Sequence, residues 1–159
     1  MGLRVTVFVY DGHTVAADRM GTTDAGFASR ITKLEPWQGK VLTTCGPSDT
    51  GAAMRAWFKG GCAPQDFPNR GLPSDQCAWL IVFSASKIVE FQRFPIPIEH
   101  PLGVPYATGS GREAAMGALL MGADAAKAVQ VASKVMAGCC GLGWDSIHVV
   151  TGERGGGEV

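Results

Sequence analysis

The stretch "YATGSGREAAMGALLMGADAAKAVQVA", residues 106–132, carries the strongest architectural signal in the chain. It opens as a short strand and runs into the glycine turn Gly109-Ser110-Gly111. Two helices follow, over residues 112–121 and 124–137, with Gly122 between them and Asp124 as a good N-cap. Ala125, Ala128, Ala132 and Val135 recur at helical spacing. Side chains this small let a helix come close to a sheet or to a neighbouring helix.

Upstream, residues 3–10 and 13–18 read as two strands joined by the dipeptide Asp11-Gly12, a strong hairpin signal. Residues 21–30 have turn composition, a short strand is expected over 32–34, and "KVLTTCG", 40–46, is another strand closing on a glycine. A helix over 48–59 follows, with Ser48 or Asp49 as its cap and Gly60-Gly61 as its stop. Residues 62–75 contain three prolines and form a loop. "CAWLIVF", 77–83, is a continuous apolar run and reads as a central strand, paired with the alternating "KIVEFQRF", 87–94. The proline-rich segment 95–105 is an extended connection. Downstream of the helix pair lies a last strand, 146–152, and then the Gly-rich "ERGGGEV", expected to be a flexible tail over 153–159. Strands in two antiparallel groups separated by helices do not make a doubly wound parallel sheet. They predict an α+β domain of two packed sheets covered by helices.

Composition narrows the function classes. The chain has 159 residues, 46% hydrophobic and 18% charged, enough for one domain with a sizeable core. Lys+Arg and Asp+Glu both number 14, so the net charge is zero, which argues against binding nucleic acid by bulk electrostatics and suits a subunit that associates. No apolar run reaches membrane-spanning length and no signal peptide is recognisable, so a cytoplasmic protein is expected. Five cysteines with no Cys-x-x-Cys read as reduced thiols, and His13, His100 and His148 are isolated in the sequence, so neither a metal nor a cofactor is called for.

Five features stand out as candidate chemistry: Thr6 opening the first strand, Asp18 ending the second, Lys33 in "ITKL", Gly46 closing a strand before a helix, and Ser110 within Gly109–Gly111. Each has a plain reading. Thr6 is a favourable strand residue. Asp18 suits a solvated strand end or a pair with Arg19, and Lys33 suits a surface lysine. The glycines suit turns, and Ser110 suits a helix cap.

Their order resembles the N-terminal nucleophile hydrolases of the proteasome β-subunit and HslV peptidase type, most of all the short, phage-encoded members. "YDGHTVAAD" is similar to the family's first hairpin and its aspartate, "ITKL" to the strand bearing its lysine, and "TTCGPSD" to the glycine turn opening its first long helix. The segment 106–132 is similar to its Gly-Ser-Gly element and helix pair. The resemblance spans about Thr6 to Val150 and implies a four-layer α-β-β-α sandwich, assembled as a homo-oligomeric ring.

The resemblance also implies roles. Thr6 is the nucleophile, its α-amine the base, Lys33 the group that lowers the hydroxyl's pKa, and Asp18 the partner that holds Lys33 charged. A backbone N–H near Gly46 faces the oxyanion, and Ser110 joins the network around the amine. An α-amine suits this role because it titrates near 7.7–8.0, against about 10.4 for a lysine. The "AAD" stretch is expected to be small so that the acid fits beneath the site.

Thr6 is preceded by "MGLRV", so residues 1–5 are a leader and the domain proper runs over 6–152. Activation requires cleavage between Val5 and Thr6, after a β-branched residue where the family's self-cleavage follows a glycine. The family's later Asp-x-x-Ser element is reduced to Asp145 and Ser146 in altered spacing. Two functions follow: a threonine-type peptidase subunit acting on peptides after processing, or a catalytically silent structural or assembly member of the same fold. Anion binding at "GSGR" on a helix N-terminus is a third reading, but it lacks the context of a nucleotide site.

Overall fold

Alternation along the first strand sets the layers. Val7 and Val9 join one hydrophobic cluster, while Phe8 and Tyr10 join another. All four are at most 2% exposed, so this strand is covered on both faces. Each such fully buried large side chain contributes about 1.5–3 kcal/mol.

In a computed structural model of the chain, the described residues are 6–22, 28–136 and 142–158. The early strands are β1 Val7–Tyr10, β2 Thr14–Asp18, β3 Met20–Thr22, β4 Ala28–Arg30, β5 Glu35–Trp37 and β6 Lys40–Cys45. Helix α1, Ser48–Lys59, leads to β7 Trp79–Phe83, β8 Ile88–Phe91, β9 Ile98–His100 and β10 Tyr106–Gly109. Helices α2 Arg112–Leu120 and α3 Ala125–Val135 precede β11 Trp144–His148 and β12 Arg154–Gly157.

The strands form two five-stranded sheets, ordered β10-β1-β2-β11-β12 and β5-β6-β7-β8-β9, with β3-β4 as a separate hairpin. Every strand pair is antiparallel. Phe8, Tyr10, Val15, Ile147 and Tyr106 of the first sheet interdigitate with Val41, Ile81, Phe83 and Ile88 of the second. On the outer face of the first sheet, Val7, Val9 and Ala16 pack against Ala115, Ala125, Ala128, Val129 and Ala132 of α2 and α3. On the outer face of the second, Leu42, Leu80 and Val82 pack against Met54 and Trp57 of α1. The result is the α-β-β-α sandwich expected from the sequence.

The Asp11-Gly12 turn is held by its own side chain. Asp11 Oδ1 accepts from the backbone N–H of His13 and Thr14 at 2.9 and 2.8 Å, and Gly12 takes φ +99°. Asp11 Oδ2 accepts from Ala125 N at 3.0 Å, tying the hairpin to the start of α3. Asp124 caps α3 by accepting from Lys127 N, as its position predicts.

Several local expectations are corrected. Gly21 and Thr22 pair with Ser29 and Ala28 as strands β3 and β4, so both ends of the segment read as a turn are strand, and residues 23–27 lie outside the described residues. Residues 32–34 lie outside any strand, and pairing begins at Glu35. Pro47, not Ser48 or Asp49, occupies the cap of α1, without a side-chain capping bond. The proline-rich connection supplies β9 at a sheet edge, where Pro97 and Pro101 flank it without breaking a ladder.

The Gly-rich end is the largest correction, because residues 154–157 pair with β11 as a regular strand. Its glycines are steric. A Cβ on Gly155 would lie 2.6 Å from Ser146 Oγ, and one on Gly156 would lie 2.6 Å from Arg19 Nη2. The leader, Ala137, Cys139 and Cys140 lie outside the described residues.

Candidate active site

Three elements deliver the charged core of the site. Thr6 immediately precedes β1, Asp18 ends β2, and Lys33 stands in the 31–34 segment before β5. That segment is fixed by Ile31 N, which donates to Arg19 O at 2.8 Å. Lys33 Nζ lies 2.7 Å from Thr6 Oγ1 and 2.9 Å from each Asp18 carboxylate oxygen. Thr6 Oγ1 also lies 3.3 Å from Asp18 Oδ1.

Burial makes this geometry consequential. The Lys33 side chain is 6% exposed and the Asp18 side chain 0%. A buried carboxylate needs donors on both oxygens. Val7 N donates to Oδ1 at 2.8 Å and Met20 N to Oδ2 at 3.0 Å, beside the two contacts to Lys33. Asp18 is therefore neither a solvated strand end nor the partner of Arg19.

Ser110 closes the other side. Its Oγ accepts from Thr6 N and donates to Thr6 O, both at 3.2 Å. Gly111, not Ser110, is the N-cap of α2. Gly109 pairs with Val7 and takes φ +96°, and a Cβ there would lie 2.2 Å from Thr6 O. The Gly-Ser-Gly segment thus holds Thr6 by contact as well as by hydrogen bonds.

Gly46 answers to a different neighbour. At φ +122°, a Cβ there would lie 2.8 Å from Cys77 O and 2.9 Å from Ala78 Cα. Among the described residues, no hydrogen bond joins Gly46 to Thr6, Lys33 or Asp18. The small "AAD" residues also have another cause: Ala16 packs beneath the helices and Ala17 between the sheets, both 0% exposed.

Asp145 is the residue whose contact the sequence reading missed. Its Oδ1 accepts from Arg19 Nε at 2.9 Å and Arg19 Nη2 at 2.6 Å. The hydrogen bond to Asp145 raises the Arg19 pKa above the ordinary arginine value. Arg19 N donates to Gly143 O at 3.0 Å, so the residue after Asp18 is held by side chain and main chain. The signal available in the sequence was a lone acid in the last strand, without a register to match it to Arg19.

The isolation of two histidines also ends in the fold. Pairing of β2 with β11 brings the His13 and His148 rings to 6.3 Å between centroids, nearly parallel at 13°. Among the described residues, no group of three or more His, Cys, Asp or Glu side chains is arranged to hold a metal ion.

No protein-family model and no curated protein matches the chain. Solved structures do. Eukaryotic HslV from Trypanosoma brucei is 22% identical, with a TM-score of 0.64 over 89% of this chain and 96% of that one. BPH from Thiobacillus denitrificans, in complex with epoxomicin, is 16% identical, with a TM-score of 0.64 and the same coverage. Anbu, an ancestral β-subunit from Yersinia bercovieri, is 14% identical, with a TM-score of 0.63 over 95% of this chain and 86% of that one. At these identities the likeness is one of fold: the chain has the HslV- and Anbu-like proteasome fold.

Proposed function

We infer that the chain is a threonine-type peptidase subunit with Thr6 as its nucleophile, released when residues 1–5 are removed. One observation carries this reading: a buried lysine 2.7 Å from the Thr6 hydroxyl, held by both oxygens of a buried aspartate. An ion pair drawn out of water is costly unless its geometry is well satisfied, and here it is aimed at a hydroxyl.

Cleavage of the Val5–Thr6 bond converts the Thr6 amide nitrogen, now 3.2 Å from Ser110 Oγ, into an α-amine. In the reaction, Thr6 Oγ1 attacks the scissile carbonyl carbon and its proton passes to that amine. The Lys33 ammonium stabilises the charge developing on Oγ1, and Asp18 keeps Lys33 in position. The role given to Gly46 is an N–H donor toward the oxyanion. Collapse breaks the C–N bond, and the amine proton goes to the departing nitrogen. Water then hydrolyses the Thr6 ester by the same proton route.

A fusion cleaved directly before Thr6 tests the reading. The released chain hydrolyses fluorogenic peptides, and its Thr6→Ala variant does not. With the leader attached, loss of the base costs roughly 10²–10⁴-fold. A released chain inert toward a broad peptide panel refutes the peptidase.

A silent structural subunit is the second reading, favoured by Thr6 being 5% exposed and by Val5 at the required cleavage point. Intact mass after expression separates the two through loss or retention of residues 1–5. Assembly as a homo-oligomeric ring belongs to both. It is supported by the zero net charge and by Leu120 and Met121, 70% and 89% exposed at the end of α2. Among the described residues, no helix is long and apolar enough to cross a membrane. A cytoplasmic setting, the host's if the gene is a phage's, completes the proposal, and the short Asp-Gly hairpin supports the phage likeness.

A further inference from the structure

Strand β12 ends the first sheet, and among the described residues no strand pairs with its outer side. An unpaired edge presents a row of main-chain N–H and C=O groups to any strand that approaches it. The second sheet guards both of its edges. β5 and β9 are three residues long, with Pro36 inside one and Pro97 and Pro101 flanking the other. β12 has four residues, an unbroken register and no proline. Residues 154–156 are exposed, as is Glu158 just beyond the strand.

The ladder fixes which main-chain groups are free. Arg19 N donates to Gly143 O at 3.0 Å and Val149 N to His13 O at 2.9 Å, so the odd-numbered residues of β11 bond to β2. His148 N donates to Glu153 O at 2.8 Å, so the even-numbered residues of β11 bond to the odd-numbered ones of β12. Hydrogen-bonded and non-hydrogen-bonded pairs alternate along an antiparallel ladder. The main-chain groups of Arg154 and Gly156 therefore point out of the sheet, and Glu158 follows in the same phase.

Charge is arranged about the same centre. Residues 154–158 read Arg-Gly-Gly-Gly-Glu, with opposite charges equally spaced from Gly156. On a second copy laid antiparallel about a two-fold axis at Gly156, each Arg154 stands opposite Glu158 of the other copy. Opposed residues put their side chains on one face, where opposite charges attract and like charges repel. This register also brings the outward-pointing main-chain groups of the two strands together. Neighbouring two-fold registers set Arg154 or Glu158 against a glycine or against its own kind. Arg30 holds the Glu158 side chain at 3.0 Å, and among the described residues Arg154 makes no ion pair.

We propose that β12 is a docking edge for a second copy of this chain, which adds its own β12 antiparallel through Gly156, with Arg154–Glu158 ion pairs at both ends of the contact. The contact is isologous, unlike the head-to-tail contacts that close a ring. It stands whether or not Thr6 is a nucleophile. A patch confined to residues 154–158 is small, so association through it is weak and falls with ionic strength.

Sedimentation equilibrium of the purified full chain tests this by charge exchange. The parent chain self-associates as its concentration rises. Arg154→Glu and Glu158→Arg each oppose like charges at both ends of the contact, and each weakens self-association at least about tenfold. An equimolar mixture of the two variants regains it, because every Glu then meets an Arg across the axis. The double variant carrying both exchanges regains it as well. A mixture that associates no better than either variant alone overturns the proposal. So does a mass that neither exchange changes, which assigns association to other surfaces. A parent chain that stays single at every concentration also overturns it, and leaves the edge to an extended segment of a different protein.

Discussion

Gly109 lies directly against Thr6: a Cβ at position 109 would stand 2.2 Å from the Thr6 carbonyl oxygen and 3.0 Å from Thr6 Cγ2. Its backbone sits at φ +96°, where other residues are strained. Gly109→Ala therefore loses at least about 2 kcal/mol of stability. Urea denaturation measures this, and an unchanged midpoint would show that the strand and Thr6 can part at no cost.

Lys33→Met removes the cation from a carboxylate that is 0% exposed. The loss is about 3–5 kcal/mol, larger than for any surface lysine. Combining it with Asp18→Asn removes the stranded charge as well. The double variant recovers much of the stability while remaining inactive. A double variant no more stable than Lys33→Met argues that packing, rather than charge, accounts for the loss.

The hairpin turn supplies a pH signature. Burial tends to raise the Asp11 pKa, but the N–H donors of Thr14, Ala125 and His13 outweigh it and bring it below the ordinary value. A depressed carboxyl contributes stability that is fully present above its unfolded pKa, about 3.9, and lost as pH falls through the lower folded value. Asp11→Asn is thus less stable than the parent at neutral pH, and the gap narrows below about pH 4. Parallel pH-stability curves for the two chains would contradict the assignment.

Gly117 offers the opposite sign. It lies inside α2, and a Cβ there meets nothing within 4 Å. Gly117→Ala stabilises the chain by about 0.5–1 kcal/mol through helix propensity and reduced freedom of the unfolded state. A lower thermal midpoint would reveal a neighbour on that face, such as another subunit.

What could be read in advance was largely local or periodic. The Asp11-Gly12 turn, the Asp124 cap and the small-residue face of α3 each encode their structure within a few residues. The Thr6, Asp18, Lys33 and Ser110 set was legible through its order along the chain, and the geometry joins all four. The errors fall where the cause lies far away in sequence. Residues 154–157 look like a tail until Arg19, Ser146 and Trp144 are packed against them. The 32–34 segment has strand composition but no neighbour to pair with, and its conformation is set by Arg19 and by the reach of Lys33 to Asp18. Ala16 and Ala17 are small because helices and a second sheet press on β2, which the stretch itself does not record.

The edge strand β12 has a consequence for biosynthesis. Residues 154–157 leave the ribosome after everything they back, including Arg19 and Asp145. A nascent chain can close the β1-β2 hairpin and pair Lys33 with Asp18 long before this backing arrives. The flank formed by β11 and Arg19 is thus covered only once residues 154–157 have emerged, and a chain stalled before residue 154 is left with an assembled ion pair and an open flank.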